Sequence, residues 1–140
     1  MKDLKSFLKG NAEERKNVFV AVSERFKDDT GNPIEWEVQA LSAEEDEQIR
    51  KSCFVPVTGQ KSGNQERFDT NAYMLKVAAA CTVFPDLHNA ELQDSYGVHT
   101  ATDLLKKLLY AGELNNYLEV IEKQNGYGKK LEEQIEKVKN

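Results

Sequence analysis

The chain has 140 residues, of which 39% are hydrophobic and 31% are charged, and its formal net charge at pH 7 is −5. This length favours one domain with its own core, and the acidic balance argues against nucleic-acid binding, which requires a basic surface. No apolar run approaches the roughly 20 residues that cross a membrane, and the N-terminal stretch has no signal-peptide core, so we expect a cytoplasmic protein with neither a nucleic-acid nor a membrane partner.

The first 40 residues predict a helical lead followed by an antiparallel β-hairpin. Residues 2–15 are too short and polar for a stable isolated helix, so their apolar side chains, Leu4, Phe7 and Leu8, are expected to dock on the domain, or else the segment frays. Residues 18–22 are β-branched or aromatic, and residues 34–40 alternate between apolar and polar, which indicates two strands joined by the turn-forming run 27–33. Trp36 is expected to fix the hairpin to the helices.

Two helices are predicted between residues 42 and 85. Ser42 with Glu45 forms a capping box, which begins a helix that reaches about residue 51. Asp69 caps the second helix, which is expected to end at Pro85. Its apolar face consists of Met74, Val77, Ala78 and Cys81. Residues 56–67 between the two helices are almost free of apolar side chains, so we expect a flexible loop there.

Three further helices are predicted between residues 89 and 126. Asn89 begins a short helix that ends at Gly97, and Thr100 begins a second one. Gly112 is expected to separate the second helix from the third, and Gly126 suits the position after the last C-terminus. The apolar faces of the second and third helices are Leu104, Leu105, Leu108 and Leu109, and Leu114, Tyr117, Leu118 and Ile121. Together these elements predict a mainly helical α+β fold, a single domain over residues 1–140 with one N-terminal antiparallel hairpin packed on the helices.

The C-terminal segment 127–140 is charged and carries only a sparse apolar stripe at helical spacing. Because this stripe buries little area, we expect a loosely held helix that the core does not need. A stripe of this kind suits a helix that docks on another helix, and the alternative is a frayed end without a role. Two tyrosines at helix ends are the other candidates, with a place at the edge of the core as their alternative. The predicted partner-contact residues are Tyr110, Tyr117, Leu131, Ile135 and Val138.

The sequence contains no pattern that indicates a catalytic, cofactor or metal site. His88 and His99 lie eleven positions apart, which does not suit a shared metal, so exposed histidines are favoured. Cys53 and Cys81 are too few for a disulfide framework and are expected to be reduced thiols. The acidic run 44–47 lies at a helix start, where acidic side chains complement the helix dipole. These observations favour a binding protein over an enzyme.

Several short segments, taken in their order along the chain, carry a family resemblance. They are Ser6-Phe7-Leu8, Ser23-Glu24-Arg25-Phe26, residues 33–38, Cys53, Phe84-Pro85-Asp86-Leu87, residues 91–98, Asp103-Leu104-Leu105 and Ala111-Gly112-Glu113. In this order and spacing the chain resembles the XkdN-like family of phage tail assembly chaperones. Leu114 departs from the pattern, since an aromatic residue is expected after Gly-Glu, and Tyr117 is the candidate to fill that space.

The resemblance implies a phage or prophage protein that binds the long tape measure protein without catalysis and assists tail-tube assembly. The implied partners are the tape measure protein and the tail tube protein, and self-association is a further expectation. A small acidic protein can cover the apolar stripes of such a helical chain and add repulsive charge. The alternative function is a small structural adaptor that stays in the tail.

Overall fold

The architecture is given by a computed structural model, which describes residues 3–57 and 65–127. Within these ranges the chain forms a short 3-10 helix, five α-helices and five short strands. In chain order they are the 3-10 helix Leu4–Phe7, β1 Val18–Val20, β2 Trp36–Val38, α1 Ala43–Lys51, β3 Phe54–Pro56, β4 Glu66–Phe68, α2 Thr70–Cys81, β5 Thr82–Phe84, α3 Ala90–Ser95, α4 Ala101–Leu108 and α5 Ala111–Gln124.

The predicted N-terminal hairpin is confirmed as an antiparallel β1–β2 pair, in which Val18 lies opposite Val38 and Val20 lies opposite Trp36. Its connection contains a tight turn in which the Asp28 carboxylate accepts the backbone N–H groups of residues 30 and 32 at 2.9 and 3.0 Å. The alternation of apolar and polar side chains along β2 places Trp36 and Val38 on the buried face of the sheet.

A third strand, β5, completes this sheet in the order β1-β2-β5. The expectation that α2 continues to Pro85 is wrong, because α2 ends at Cys81 and the next three residues pair with β2. The Thr82 hydroxyl donates to the Ala78 carbonyl at 2.7 Å and so satisfies one of the last carbonyl groups of the helix. β-Branched and aromatic residues at 82–84 also favour the strand.

Strands β3 and β4 form a second antiparallel hairpin that the sequence did not indicate. Phe54 lies opposite Phe68, and their rings meet edge-on with centroids 5.3 Å apart. Pro56 and residues 66–67 therefore lie in strands and not in the flexible loop that was expected over residues 56–67. Residues 58–64 lie outside the described residues, and their flexibility stays a prediction.

The helix starts follow the predicted caps, with one correction near Gly112. The side chains of Ser42, Asp69, Asn89 and Thr100 each accept a backbone N–H three residues further on. The α4–α5 break falls at residues 109–110, where the backbone is extended. Gly112 instead belongs to the first turn of α5, and the Glu113 carboxylate accepts the Tyr110 N–H at 2.9 Å.

The core lies between the sheet and the helices and is closed by Trp36, as expected. Trp36 is 2% exposed, and its ring meets that of Tyr117 edge-on at 5.1 Å between centroids. Leucines of α4 and the small residues of α2 fill the space around this pair. The buried apolar residues of this cluster are Trp36, Val38, Val77, Ala78, Ala79, Cys81, Leu87, Val98, Ala101, Leu104, Leu105, Leu108, Leu109, Tyr117 and Ile121. The mainly helical α+β fold with a packed N-terminal hairpin is confirmed.

The N-terminal lead is attached at its far end and exposed at its beginning. The Arg15 guanidinium donates to the Gln124 carbonyl at 2.9 Å, and the Gln124 amide donates to the Lys16 carbonyl at 2.9 Å. The 3-10 helix does not dock, since its apolar side chains are largely in solvent. The exposed fractions are 83% for Leu4, 79% for Phe7 and 57% for Leu8.

Candidate partner-binding surface

The structure separates the two tyrosines that were predicted to contact a partner. Tyr110 is 70% exposed, and the Arg25 guanidinium lies over its ring at 4.7 Å from the centroid. Tyr117 is 1% exposed and is hydrogen-bonded to the Thr82 hydroxyl at 2.6 Å. Its side chain belongs to the core and not to the surface, which corrects its prediction as a contact residue. The other three predicted contact residues, Leu131, Ile135 and Val138, lie outside the described residues.

Tyr110 sits above an ion pair that joins distant parts of the chain. The Arg25 guanidinium donates to the Glu113 carboxylate at 2.7 Å and to the Leu108 carbonyl at 2.6 Å. The Arg25 charge therefore lies at the C-terminal end of α4, where a cation is favourable. Hydrogen bonds from Arg25, from Ser23 and from the Tyr110 backbone lower the pKa of Glu113 to about 2. The pair connects the Ser-Glu-Arg-Phe and Ala-Gly-Glu segments, which both carry the family resemblance, and gives their residue types a structural reason.

An apolar groove runs between α2 and α5, and we call it the α2–α5 groove. Its floor is formed by Met74 and Val77 of α2 and by Leu118 and Ile121 of α5, and its volume is about 340 Å³. Val77 and Ile121 also belong to the core, so the groove floor is fixed by packing from below. Apolar concave surfaces between helices are a common docking site for the apolar face of a further helix.

One end of the α2–α5 groove carries a polar cluster of three side chains. The Asp46 carboxylate accepts hydrogen bonds from the Tyr73 hydroxyl and from Arg50 Nε, the latter at 2.8 Å. The Arg50 guanidinium lies over the Tyr73 ring at 4.5 Å from its centroid. Burial alone would raise the pKa of Asp46, but the hydrogen bonds from Tyr73 and Arg50 outweigh it and lower this pKa. Burial and the Asp46 carboxylate raise the pKa of Tyr73. At neutral pH this end therefore carries an ionised Asp46 carboxylate that is paired with the Arg50 guanidinium.

A second, smaller concavity of about 190 Å³ opens at the end of the three-stranded sheet. Its walls are almost entirely apolar, and Phe84 and Tyr96 are partly in solvent there. Its lining comes largely from the segments that carry the resemblance. The lining residues are Phe26, Ile34, Trp36, Phe84, Pro85, Leu92, Tyr96 and Leu108.

The described residues bring together no group of three or more side chains suited to a metal ion. His88 and His99 are both exposed, and Cys53 and Cys81 are buried and free. Burial raises the pKa of the Cys81 thiol, although the Asn125 amide opposes this shift. This thiol is therefore protonated at neutral pH and poorly nucleophilic. No helix in the described ranges is long and apolar enough to cross a membrane.

Sequence reasoning missed the α2–α5 groove, although it named Met74 and Leu118 as members of apolar helix faces. The apolar faces of α2 and α5 are wider than the core requires, so their edges remain at the surface. For the polar cluster at the end of the groove, a signal was available in the sequence. Asp46 and Arg50 are four residues apart on α1, a spacing that indicates an ion pair on one helix face. Nothing in the sequence placed that face beside Tyr73.

Comparison with known protein families shows a relationship that spans nearly the whole chain. The family model for the phage XkdN-like tail assembly chaperone protein matches residues 4–139. The chain therefore belongs to the XkdN-like family of phage tail assembly chaperones.

Individual relatives come from Bacillus subtilis strain 168. The chain is 28% identical over 141 residues to the phage-like element PBSX protein XkdN, covering 99% of this chain and 94% of XkdN. It is 27% identical over 139 residues to the uncharacterized protein YqbN, covering 99% and 93% of the two chains. The crystal structure of the protein YqbN matches with a TM-score of 0.76 at 24% identity, over 91% of this chain and 98% of that chain. This last similarity concerns the fold alone.

Proposed function

We propose that this protein binds the tape measure protein of a phage or prophage tail in the bacterial cytoplasm. It keeps that chain soluble and assists assembly of the tail tube around it, and it acts by binding, without catalysis. Family membership supports the assembly role, and the tape measure protein and the tail tube protein are the partners that we propose for it.

The observation that carries the proposal is the exposure of large apolar side chains on an acidic chain. Leu4, Phe7 and Tyr110 are each exposed by more than two thirds, while the chain has a net charge of −5. Leu4 and Phe7 lie on one short segment together with the exposed Leu8, and a group of apolar side chains at a surface marks a site of interaction with other chains. Bound copies of an acidic protein repel one another, so a coated tape measure chain is kept from associating with further coated chains.

We propose Tyr110 and the C-terminal stripe, Leu131, Ile135 and Val138, as contact residues. Tyr110 presents an aromatic ring that Arg25 holds in place, so its binding costs little conformational entropy. The stripe follows a helical spacing of four and three residues, which matches the face that one helix lays against another.

The test is co-expression of the protein with the tape measure protein of the same phage or prophage, followed by affinity purification through a tag on the tape measure protein. We expect the full-length chain to co-purify and to raise the soluble fraction of the tape measure protein several-fold. Replacing Leu131, Ile135 and Val138 together by serine should reduce co-purification. The matched control replaces Glu133, Glu136 and Lys137 by serine, because at about 100° per residue they lie opposite the stripe.

Two results would contradict the proposal. Equal recovery of the stripe variant and its control would exclude the stripe as a contact. A stoichiometric amount of the protein in purified, mature tails would instead identify a structural adaptor, which is the alternative that the sequence left open.

A further inference from the structure

The α2–α5 groove offers more apolar space than one side chain fills. Its volume is about 340 Å³, whereas an apolar cavity of about 150 Å³ holds one benzene molecule. The floor residues Met74 and Leu118 are only partly buried, so an occupant would remove further apolar surface from water. The groove therefore has room for about two benzene-sized groups, which is roughly the volume of three small aliphatic side chains from one occupant.

The chain itself turns toward the α2–α5 groove where α5 ends. The Tyr127 N–H donates to the Glu122 carbonyl at 2.9 Å, and the Gly126 N–H donates to the Lys123 carbonyl at 3.0 Å. With Gly126 at a φ of 88°, this is the Schellman arrangement, which reverses the chain at a helix C-terminus. Tyr127 lines the groove together with Tyr73 and Arg50. The chain thus leaves the described residues at the rim of the groove.

The sequence that follows Tyr127 has the length and pattern to occupy the α2–α5 groove. Thirteen residues remain, 128–140, and as a helix they would extend about 20 Å. The first apolar residue, Leu131, lies four positions beyond Tyr127 and is within reach of the floor in either a helical or an extended chain. Lys129 and Lys130 come before it, and the groove presents the acidic side chain of Glu122 at its edge.

We propose that, in the free protein, residues 128–140 fold back onto the α2–α5 groove as an amphipathic helix. Leu131, Ile135 and Val138 lie on the floor formed by Met74, Val77, Leu118 and Ile121. The groove then covers the stripe until the stripe leaves the groove and binds a partner helix. This last consequence rests on the proposed function, because the stripe must leave the groove before it can contact the tape measure protein.

The experiment is methyl NMR and amide hydrogen exchange on the full-length protein without any partner. Docking predicts nuclear Overhauser contacts between the methyl groups of the stripe and those of Met74 and Leu118. It also predicts that tail amides exchange about tenfold or more slowly than in an unstructured chain. The serine variant of the stripe should lose the protection, and the Glu133, Glu136 and Lys137 serine variant should keep it.

Two outcomes would overturn the proposal. The first is the absence of these contacts together with unprotected tail amides in the wild-type chain. The second is contacts that appear only between differently labelled molecules and weaken on dilution, which would place the tail in the groove of a second copy. Because no tape measure protein is present, this result is independent of the co-purification result, and either proposal can fail alone.

Discussion

Trp36 packs the three-stranded sheet against the helices. Its ring is buried on the inner face of β2 and makes a T-shaped contact with the Tyr117 ring from α5. We expect Trp36→Ala to lower the free energy of unfolding by about 3–5 kcal/mol, because the large cavity cannot collapse fully. Urea unfolding followed by far-ultraviolet circular dichroism measures it. An exposed aromatic, Phe19→Ala, is the control, and a loss no larger than that of the control would contradict the assignment.

Substitution of Tyr117 is expected to affect stability alone, whereas substitution of Tyr110 is expected to affect binding. Tyr117→Phe removes a hydroxyl that donates to Thr82, which itself donates to Ala78. The expected loss is about 1 kcal/mol of stability, without a change in co-purification with the tape measure protein.

Tyr110→Ala should reduce co-purification, since its exposed ring is the proposed contact. If Tyr117→Phe weakened binding at unchanged stability, the core assignment of Tyr117 would not explain its role.

Between elements, the Arg25–Glu113 pair connects the segment after β1 to the start of α5. The folded chain lowers the pKa of Glu113 from 4.5 to about 2. As the pH falls, the unfolded chain takes up this proton first, so the stabilisation is complete above pH 4.5 and is lost between pH 4.5 and 2. We expect the melting temperature of Glu113→Gln to depend less on pH in that window than that of the wild type.

The remaining acid dependence provides the control for this experiment. Asp28, Asp46 and Asp103 also have lowered pKa values, so both proteins lose stability in acid and only the difference between them reports on Glu113. Identical curves for the two proteins would show that the pair contributes nothing to folding.

The sequence predicted those elements whose signals are local. The caps at Ser42, Asp69 and Thr100 and the alternation around Trp36 are each readable within a few residues, and all were correct. Strands β3, β4 and β5 were missed, because their three residues do not belong to a longer alternating stretch, whereas the alternation around β2 covers residues 34–40. Such short strands leave little period-2 pattern to detect.

The surface was less predictable than the core, for a related reason. The ring of Tyr117 was assigned to either the core edge or a partner contact, and only the position of Trp36 across from it decided the matter. The α2–α5 groove depends on how α1, α2 and α5 are placed relative to one another, which no single helix pattern encodes. The C-terminal stripe could be read from the sequence. The α2–α5 groove, which is its proposed binding site on the same chain, could be found only in the folded structure.

At the scale of the whole molecule, the end of the N-terminal lead, residues 15–16, meets the C-terminus of α5. Arg15 donates to the Gln124 carbonyl, and a side chain added at Gly126 would come within 3.4 Å of the Arg15 guanidinium. The exposed 3-10 helix and the C-terminal tail are thus both carried by segments anchored at this point. Apolar side chains that are absent from the core but held near a fixed anchor are suited to contacts with other molecules.

The last prediction concerns Leu4, Phe7 and Leu8, which the domain leaves in solvent. Replacing all three by serine should change the melting temperature little, because surface substitutions away from packed features usually stay within about 0.5 kcal/mol. The same change should reduce self-association at high protein concentration, measured by sedimentation velocity, since the apolar patch is removed. Lys5→Ser with Lys9→Ser is the control on the same segment. A large fall in melting temperature would show that these side chains dock on the domain in solution, and an unchanged sedimentation profile would exclude them from self-association.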